Sequence, residues 1–219
     1  MVQYPYGIGK TFSLETPLAV ARTALCIRAT QSLVIDGFLS EVMWSDPVAR
    51  FFRSDGTATD IDSTFFYFAY DRDHLYLGAR CVESHMESLF AVANEHDGAV
   101  YSEDCVGYFF QPDAEEGSVY QIYFSALGTI FDQAFSADAN GDFEVNRRWD
   151  VSCDILARQG ENAWTIESAI PMTQFEVSNA AGHVWRLNFR RKQWRLGETA
   201  DWQLPIGHNP ATLEFLEFQ

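Results

Sequence analysis

Residues 64–81 read TFFYFAYDRDHLYLGARC and decide the fold class. Two runs of strand-forming residues, 64–70 and 75–81, lie on either side of the polar segment DRDH at 71–74. Strand-forming runs that flank a short polar turn are typical of a β-hairpin. The sequence therefore predicts two antiparallel strands joined by a tight turn.

Short strands separated by turn signals continue along the chain after this hairpin. A second hairpin is predicted from residues 106–110 and 119–126, on either side of the acidic loop 113–117. Further strands are predicted at 128–132, 151–158, 163–170 and 184–194, and one short helix each at 41–52 and 172–175. This spacing indicates an all-β sandwich or a barrel. We expect one domain at residues 26–219, preceded by an N-terminal arm at residues 1–25.

Alternating side chains assign opposite faces to three of these strands. Trp185, Leu187 and Phe189 share one face, because successive side chains of a strand point to opposite sides. The predicted core set is Val106, Tyr108, Phe110, Ile122, Phe124, Trp185, Leu187 and Phe189, and the outer set is Gln121, Tyr123, Ser125, Asn188 and Arg190, with little bulk at Gly107. The outer face suits a saccharide, since hydroxyl groups need planar hydrogen-bond partners and sugar rings stack on aromatic rings. An ordinary solvated sheet face is the alternative.

Composition and charge restrict the class of partner. The 219 residues are 47% hydrophobic and carry a formal net charge of −16, which predicts a large core inside an acidic surface. Such a surface repels phosphate backbones and anionic lipids, so we expect neither nucleic acid nor a membrane surface as partner. No run in the sequence approaches the roughly 18 apolar residues of a membrane-spanning helix, so no membrane insertion is predicted. A neutral polar ligand or a cation remains.

The four cysteines, Cys26, Cys81, Cys105 and Cys153, are far apart in sequence and form no C-x-x-C pair. This spacing argues against a zinc knuckle and against a dithiol redox motif. We expect buried free thiols within strands, with a disulfide as the alternative.

Six groups of short segments, in order along nearly the whole chain, carry a more specific pattern. They are CIRA (26–29) with LVIDGFLSE (33–41) and Trp44, FYFAYDRDHLY (66–76), EDCV (103–106) with Phe109 and Phe110, WTIESAIP (164–171), WRLNFRR (185–191), and Asn209 and Pro210 with FLEF (215–218). Together they resemble the family 9 carbohydrate-binding modules and their DOMON-like relatives. The resemblance implies an antiparallel, immunoglobulin-like β-sandwich that binds a saccharide without catalysis and contains structural Ca²⁺. It also implies a secreted or periplasmic location, with the cytoplasm as the alternative because the N-terminal MVQYPYGIGKTF does not resemble a signal peptide.

The resemblance further implies a clamp of two aromatic platforms around the sugar. The first platform corresponds to Tyr101, which keeps an aromatic ring. The second platform falls near Gly207 and His208, where no indole is present. We therefore expect Trp202, Trp194 or the loop of His208 to supply a substitute platform.

The residues that contact sugar hydroxyls in the family also differ in this chain. The position of the family's signature glutamate is Gly107, an arginine position is Tyr123, and a glutamine position is Arg190. The predicted ligand-binding residues are Tyr101, Gln121, Tyr123, Asn188, Arg190, Trp202 and His208. No catalytic residue is predicted, because no carboxylate pair occurs in a distinctive motif for glycoside hydrolysis, the main enzymatic alternative.

A structural Ca²⁺ ion requires hard oxygen ligands. The predicted ligands are Asp36, Glu41, Asp71 and Asp73, and the alternative set is the loop DANGD at 138–142 with Glu144. These residues lie at predicted turns, so turn formation and capping are their alternative roles.

Two further hypotheses for function remain open from the sequence. Related sandwiches hold haem between a Met and a His or Lys, and His85 with Met86 could supply such a pair from a loop. Met43 and Met172, by contrast, have neighbours typical of core residues. The second hypothesis is a scaffold or accessory domain that has lost its ligand site, in keeping with Gly107 and the missing second platform.

Overall fold

The computed structural model describes residues 22–112, 117–137, 143–177, 184–204 and 212–219. Its strands are β1 (Thr23–Arg28), β2 (Thr64–Tyr70), β3 (His74–Val82), β4 (Cys105–Gln111), β5 (Val119–Ser125), β6 (Ile130–Ala137), β7 (Phe143–Asn146), β8 (Asp154–Gln159), β9 (Ala163–Pro171), β10 (Val184–Gln193), β11 (Glu198–Asp201) and β12 (Glu214–Phe218). Single 3-10 helical turns lie at Val42–Ser45, Met86–Ser88, Val100–Ser102, Met172–Phe175 and Trp194–Leu196. None of the helices in these ranges is long and apolar enough to cross a membrane.

The β2–β3 hairpin forms where the sequence predicts it, with the two strands paired along their length. Asp71 shapes the turn, since its Oδ1 accepts hydrogen bonds from the backbone N–H groups of Asp73 and His74, each at 2.8 Å. Its Oδ2 accepts a hydrogen bond of 2.6 Å from the hydroxyl of Tyr76. The second predicted hairpin, β4–β5, is also present. Both hairpin predictions are therefore confirmed.

The strands form two sheets that share β1. The first sheet has the order β7-β6-β5-β4-β10-β12-β1, with β11 also paired to β10, and the second has the order β1-β2-β3-β9-β8. Residues 23–26 of β1 pair with β12, whereas Ile27 and Arg28 pair with β2. Both of these pairings are parallel, and the other pairings between the described strands are antiparallel. The predicted antiparallel sandwich is thus right except at β1, which includes residues 23–25 of the predicted arm.

One apolar core lies between the two sheets. All members of the predicted core set belong to it, and each is at most 1% exposed. Phe66 of β2 connects the sheets, because its ring centroid lies 4.6 Å from that of Phe189 and 5.3 Å from that of Tyr108. Apolar side chains at every second position give each sheet one face that burial stabilises, at roughly 25 cal/mol per Å² of apolar surface removed from water. The predicted register of β4, β5 and β10 is confirmed.

The predicted helix at 41–52 is wrong beyond its first turn. The 3-10 turn is followed by Asp46 and Pro47, and a proline disfavours helical backbone in the residue before it. Asp46 has φ −122° and ψ 80°, outside the helical region. Val48 then forms a β-bridge with β2. The second predicted helix is present as the single turn Met172–Phe175.

The cysteines within strands, Cys26, Cys81 and Cys105, are buried free thiols as predicted. Burial raises the pKa of Cys81 and of Cys105 to about 12. Both side chains are therefore neutral thiols at physiological pH and pack as small apolar groups. Cys153, just before β8, is partly buried and also free.

Candidate functional site

The outer face of β4, β5, β6 and β10 is largely covered. Gln121, Tyr123 and Asn188 are each at most 4% exposed. A second apolar cluster lies on this face, and its members are Val100, Cys105, Phe109, Val119, Tyr123, Phe135 and Leu213. The alternative of an ordinary solvated sheet face is therefore wrong, because aromatic side chains on this face pack against Val100 and Leu213 from neighbouring segments.

An open cavity of about 610 Å³ remains beside this cluster. Its lining residues are Asp97, Tyr101, Phe109, Gln121, Tyr123, Phe131, Asp132, Gln133, Arg147 and Arg190. Tyr101, in the 3-10 turn Val100–Ser102, is 51% exposed, and its ring centroid lies 5.0 Å from that of Phe131 in an edge-to-face contact. Because Phe131 supports one side of the ring, Tyr101 presents a flat apolar surface with a defined position at the cavity.

Gly107 in β4 makes room for Tyr123 on the cavity floor. A Cβ atom at position 107 would lie 2.5 Å from Cε1 of Tyr123 and 3.1 Å from Cγ of Arg190. The ring of Tyr123 therefore lies directly against the glycine backbone. A glutamate side chain, which the family resemblance would place at this position, has no room here.

Arg190 of β10 is fixed from two sides. Its Nε and Nη2 lie 2.9 and 2.8 Å from Oδ1 of Asp201, which is fully buried, and its Nη1 donates a hydrogen bond of 3.0 Å to the hydroxyl of Tyr123. Burial works to lower the pKa of Arg190, but Tyr123 and Asp201 raise it above its ordinary value. Burial raises the pKa of Asp201 to about 6, although the nearby guanidinium acts in the opposite direction. Arg190 is therefore a charged, immobilised group at the cavity.

Two amide side chains add further polar groups to the lining. Gln121 of β5 and Gln133 of β6 are cross-strand partners, and Nε2 of Gln133 donates a hydrogen bond of 2.6 Å to Oε1 of Gln121. A primary amide carries two donors and one acceptor group in one plane. The floor therefore offers both donors and acceptors to a ligand that carries hydroxyl groups.

The structure places four of the predicted ligand-binding residues in this one cavity, namely Tyr101, Gln121, Tyr123 and Arg190. Asn188 lies on the same outer face but is buried, where its amide exchanges hydrogen bonds of 3.0 and 3.1 Å with the backbone of Gln203. Trp202 lies in the main core, with its ring stacked at 4.9 Å on that of Phe189. His208 lies outside the described residues.

Strand geometry explains why Trp202 is not a platform at the cavity. Asp201 points to the outer face, where it pairs with Arg190, so the next side chain along the chain points inward. Trp194, the other platform that the sequence suggests, is 48% exposed but stacks on Phe90 and does not line the cavity. Among the described residues, Tyr101 is thus the one predicted platform that the cavity contains.

The sequence pattern did not point to the lining residues Asp97, Phe131, Asp132, Gln133 and Arg147, and it indicated no ligand role for Phe109. Phe131 and Gln133 are the cross-strand partners of Tyr123 and Gln121. Extending the alternation of β5 into β6 would have found both. Asp97 and Arg147 lie in connections between strands, where side chains follow no period that a sequence reveals.

The predicted Ca²⁺ ligands do not form a group of metal-ligating atoms within the described part of the chain. Asp71 forms the β2–β3 turn, and Asp73 is exposed in that turn. Asp36 accepts a hydrogen bond of 2.9 Å from the backbone N–H of Phe38, so it also serves a turn. Glu41 precedes the first 3-10 turn without capping it through its side chain. Loop 138–142 lies outside the described residues, and Glu144 is exposed in β7.

The residues of the haem hypothesis lie elsewhere on the surface. Nδ1 of His85 lies 3.1 Å from Oε1 of Glu87, and Met86 begins a 3-10 turn after β3. Neither residue lines the cavity. Met172 is buried in the main core and Met43 packs around Trp44, so the prediction that these two methionines are core residues is confirmed.

Comparison with known proteins identifies the fold. No protein-family model and no curated protein matches the chain. A solved structure of a candidate carbohydrate-binding protein from Bacteroides uniformis ATCC 8492 is similar, with 17% identity and a TM-score of 0.69 over 91% of this chain and 100% of that chain. Family 9 carbohydrate-binding modules from Caldicellulosiruptor kristjanssonii are similar in complex with glucose (14% identity, TM-score 0.57, 90% of this chain and 96% of that chain) and with cellotriose (15%, 0.58, 90% and 94%). The chain therefore has the β-sandwich fold of the family 9 carbohydrate-binding modules.

Proposed function

We propose that the chain binds a neutral saccharide in the cavity over β4, β5, β6 and β10, and that it does not transform this ligand. The observation that carries the proposal is the exposed ring of Tyr101 beside the planar polar groups of Gln133 and Arg190, all lining one cavity of about 610 Å³. Cavities of about 300–1,000 Å³ are typical of small-molecule sites. The glucose and cellotriose complexes of similarly folded modules support the saccharide class.

Tyr101 supplies the stacking surface in this proposal. The apolar face of a pyranose ring packs on an aromatic ring. We expect this contact to add about 0.5–1.5 kcal/mol beyond the burial of area, as a pair of aromatic rings does. Phe131 already restricts the ring of Tyr101 through the edge contact at 5.0 Å. The side chain of Tyr101 therefore loses little conformational freedom when a ligand binds, and this small entropy cost favours affinity.

Arg190, Gln121 and Gln133 supply the hydrogen bonds. A saccharide loses its water on entering the cavity, so several convergent donors and acceptors must replace it. The ion pair with Asp201 holds the guanidinium of Arg190 in place before a ligand arrives. The same ion pair balances the charge of Arg190, and the lining also contains the two carboxylates of Asp97 and Asp132 and the guanidinium of Arg147. Charges of both signs therefore line the cavity without a large excess of either, which suits a neutral sugar.

Titration calorimetry tests the proposal with glucose, cellotriose and a panel of neutral mono- and oligosaccharides. With one aromatic platform among the described residues, we expect dissociation constants between micromolar and millimolar, equivalent to about −8 to −4 kcal/mol. Tyr101→Ala should weaken binding by about 2- to 13-fold or more, the factor that corresponds to the stacking contribution. Trp194→Ala is the matched control, since Trp194 is similarly exposed but lies outside the cavity.

Three outcomes would contradict the proposal. Binding that Trp194→Ala weakens and Tyr101→Ala does not would move the site to the other exposed ring. The absence of binding to every saccharide would favour an accessory domain without a ligand. Release of reducing sugar from an oligosaccharide, abolished by substitution of a carboxylate in the cavity, would identify a hydrolase.

A further inference from the structure

Four potential metal ligands meet at one wall of the cavity. They are His96 and Asp97 in the connection before the 3-10 turn Val100–Ser102, Asp132 in β6, and Asp150 after β7. One ligand atom from each residue lies within 4.8 Å of the others. Nε2 of His96 lies 2.9 Å from Asp132, 3.8 Å from Asp150 and 3.9 Å from Asp97. The four side chains thus surround one small volume.

Asp132 provides an independent sign that this cluster takes a ligand. Its side chain is fully buried, and its Oδ2 faces the cluster, where it contacts His96 at 2.9 Å and accepts a hydrogen bond of 3.2 Å from the backbone N–H of Val151. Its Oδ1 is also buried and has no hydrogen-bond partner in the described part of the chain. A buried carboxylate oxygen without a partner is costly unless a proton or a cation satisfies it.

The donor set distinguishes between classes of cation. Ca²⁺ and Mg²⁺ prefer oxygen ligands alone, whereas imidazole nitrogen with carboxylate oxygen suits Zn²⁺ and neighbouring transition metals. Bonds of about 2.0–2.2 Å in a tetrahedron place ligand atoms about 3.3–3.6 Å apart. The separations of 2.9, 3.8 and 3.9 Å from Nε2 of His96 lie around that range, so small side-chain shifts reach it.

The geometry points to a site for one divalent transition-metal ion, with Zn²⁺ as the best match, held by His96, Asp97, Asp132 and Asp150. Two of the four ligands, Asp97 and Asp132, also line the cavity of the proposed saccharide site. The metal site is argued from its own contacts and does not depend on sugar binding. Four protein ligands fill a tetrahedral shell, which is typical of a structural rather than a catalytic zinc site. The ion joins β6 to the segment that leads to Tyr101 and to the connection before β8.

Calorimetry with ZnCl₂ on untagged, chelator-treated full-length chain tests this site near neutral pH. We expect one Zn²⁺ per chain, and at least about 10-fold weaker binding for His96→Ala and for Asp150→Asn, since even indirect changes around a metal site cost this much. Both side chains are exposed, so the variants should fold, and circular dichroism checks that they do. His85→Ala is the matched control, because His85 is also an exposed histidine beside a carboxylate.

The visible absorption of bound Co²⁺ gives a second measurement, which does not depend on the heat of binding. Co²⁺ in a tetrahedral shell of nitrogen and oxygen ligands absorbs visible light strongly, and we expect such bands in the wild type and in His85→Ala but not in His96→Ala. Zn²⁺ binding that His96→Ala leaves unchanged would overturn the assignment. Ca²⁺ binding as tight as that of Zn²⁺, or no Zn²⁺ binding by the wild type, would overturn it as well.

Discussion

At position 107, the absence of a side chain determines how the cavity floor is built. The ring of Tyr123 comes within 2.5 Å of the place where a Cβ atom would be, and the stem of Arg190 within 3.1 Å. Tyr123 in turn accepts a hydrogen bond from Arg190. One glycine therefore sets the positions of an aromatic ring and of a guanidinium, and both line the cavity.

We expect Gly107→Ala to lower the free energy of unfolding by about 1–3 kcal/mol, the usual cost of forcing a methyl group into a packed site. The added Cβ would lie 2.5 Å from the Tyr123 ring, so the loss arises from this contact. Urea denaturation measures this loss in a double-mutant cycle, in which Gly107→Ala is introduced once into the wild type and once into the Tyr123→Ala variant. An equal loss in both backgrounds would show that the ring of Tyr123 is not the obstacle.

At the scale of elements, the β2–β3 turn is held by one carboxylate. Asp71 binds two backbone N–H groups through Oδ1 and the hydroxyl of Tyr76 through Oδ2. The side chain of Asp73, two residues later, is 72% exposed. Asp73 contributes its backbone N–H to these hydrogen bonds, but its carboxylate does not contribute to them. The turn thus offers two aspartates of the same chemistry and different structural roles.

Asp71→Ala should lower the free energy of unfolding by about 1–3 kcal/mol, because it leaves hydrogen-bond donors at the turn without their acceptor. Asp73→Ala, the matched control, should change it by less than about 0.5 kcal/mol, as is usual for an exposed position. Chemical denaturation of the two variants in parallel gives the comparison. Equal losses would mean that the carboxylate of Asp71 does not hold the turn.

Local chemistry explains which of these features the sequence could predict. The DRDH turn and the alternation in β4, β5 and β10 follow from neighbouring residues, so the hairpins and the core faces were predictable. The position of Trp202 follows from the pairing of Asp201 with Arg190, and the burial of Asn188 follows from contact with Gln203. Such long-range contacts leave no periodic trace in a single sequence. The same holds for the cluster around His96, whose members come from three separate segments.

At the scale of the whole molecule, a continuous aromatic core joins the two sheets. Trp185 of β10 is buried in this core, and its ring centroid lies 5.0 Å from that of Phe218, 5.3 Å from that of Phe175 and 6.2 Å from that of Phe110. Contacts of this kind connect β4, β10 and β12 of the first sheet to the turn after β9. The ring of Tyr70, in β2 of the second sheet, lies 5.1 Å from that of Phe218 between centroids. The two sheets should therefore unfold together.

Trp185→Ala is expected to lower the free energy of unfolding by about 3–5 kcal/mol, the usual range for truncating a buried aromatic residue. Trp194→Ala removes a half-exposed indole and should cost clearly less. Urea unfolding followed by circular dichroism and by fluorescence should give coincident transitions in the wild type. Separate transitions for the two probes would contradict a single cooperative core.

The sharing of β1 between the two sheets has a consequence for biosynthesis. Residues 23–26 have their partner in residues 215–218, almost the whole domain later in the sequence. During translation, this edge of β1 stays unpaired until β12 has left the ribosome, so the sandwich cannot close from its N-terminal end. Pairings between such distant segments slow folding and lengthen the time for which strand edges are exposed. The exposed edge of β1 therefore depends on β12 for its protection.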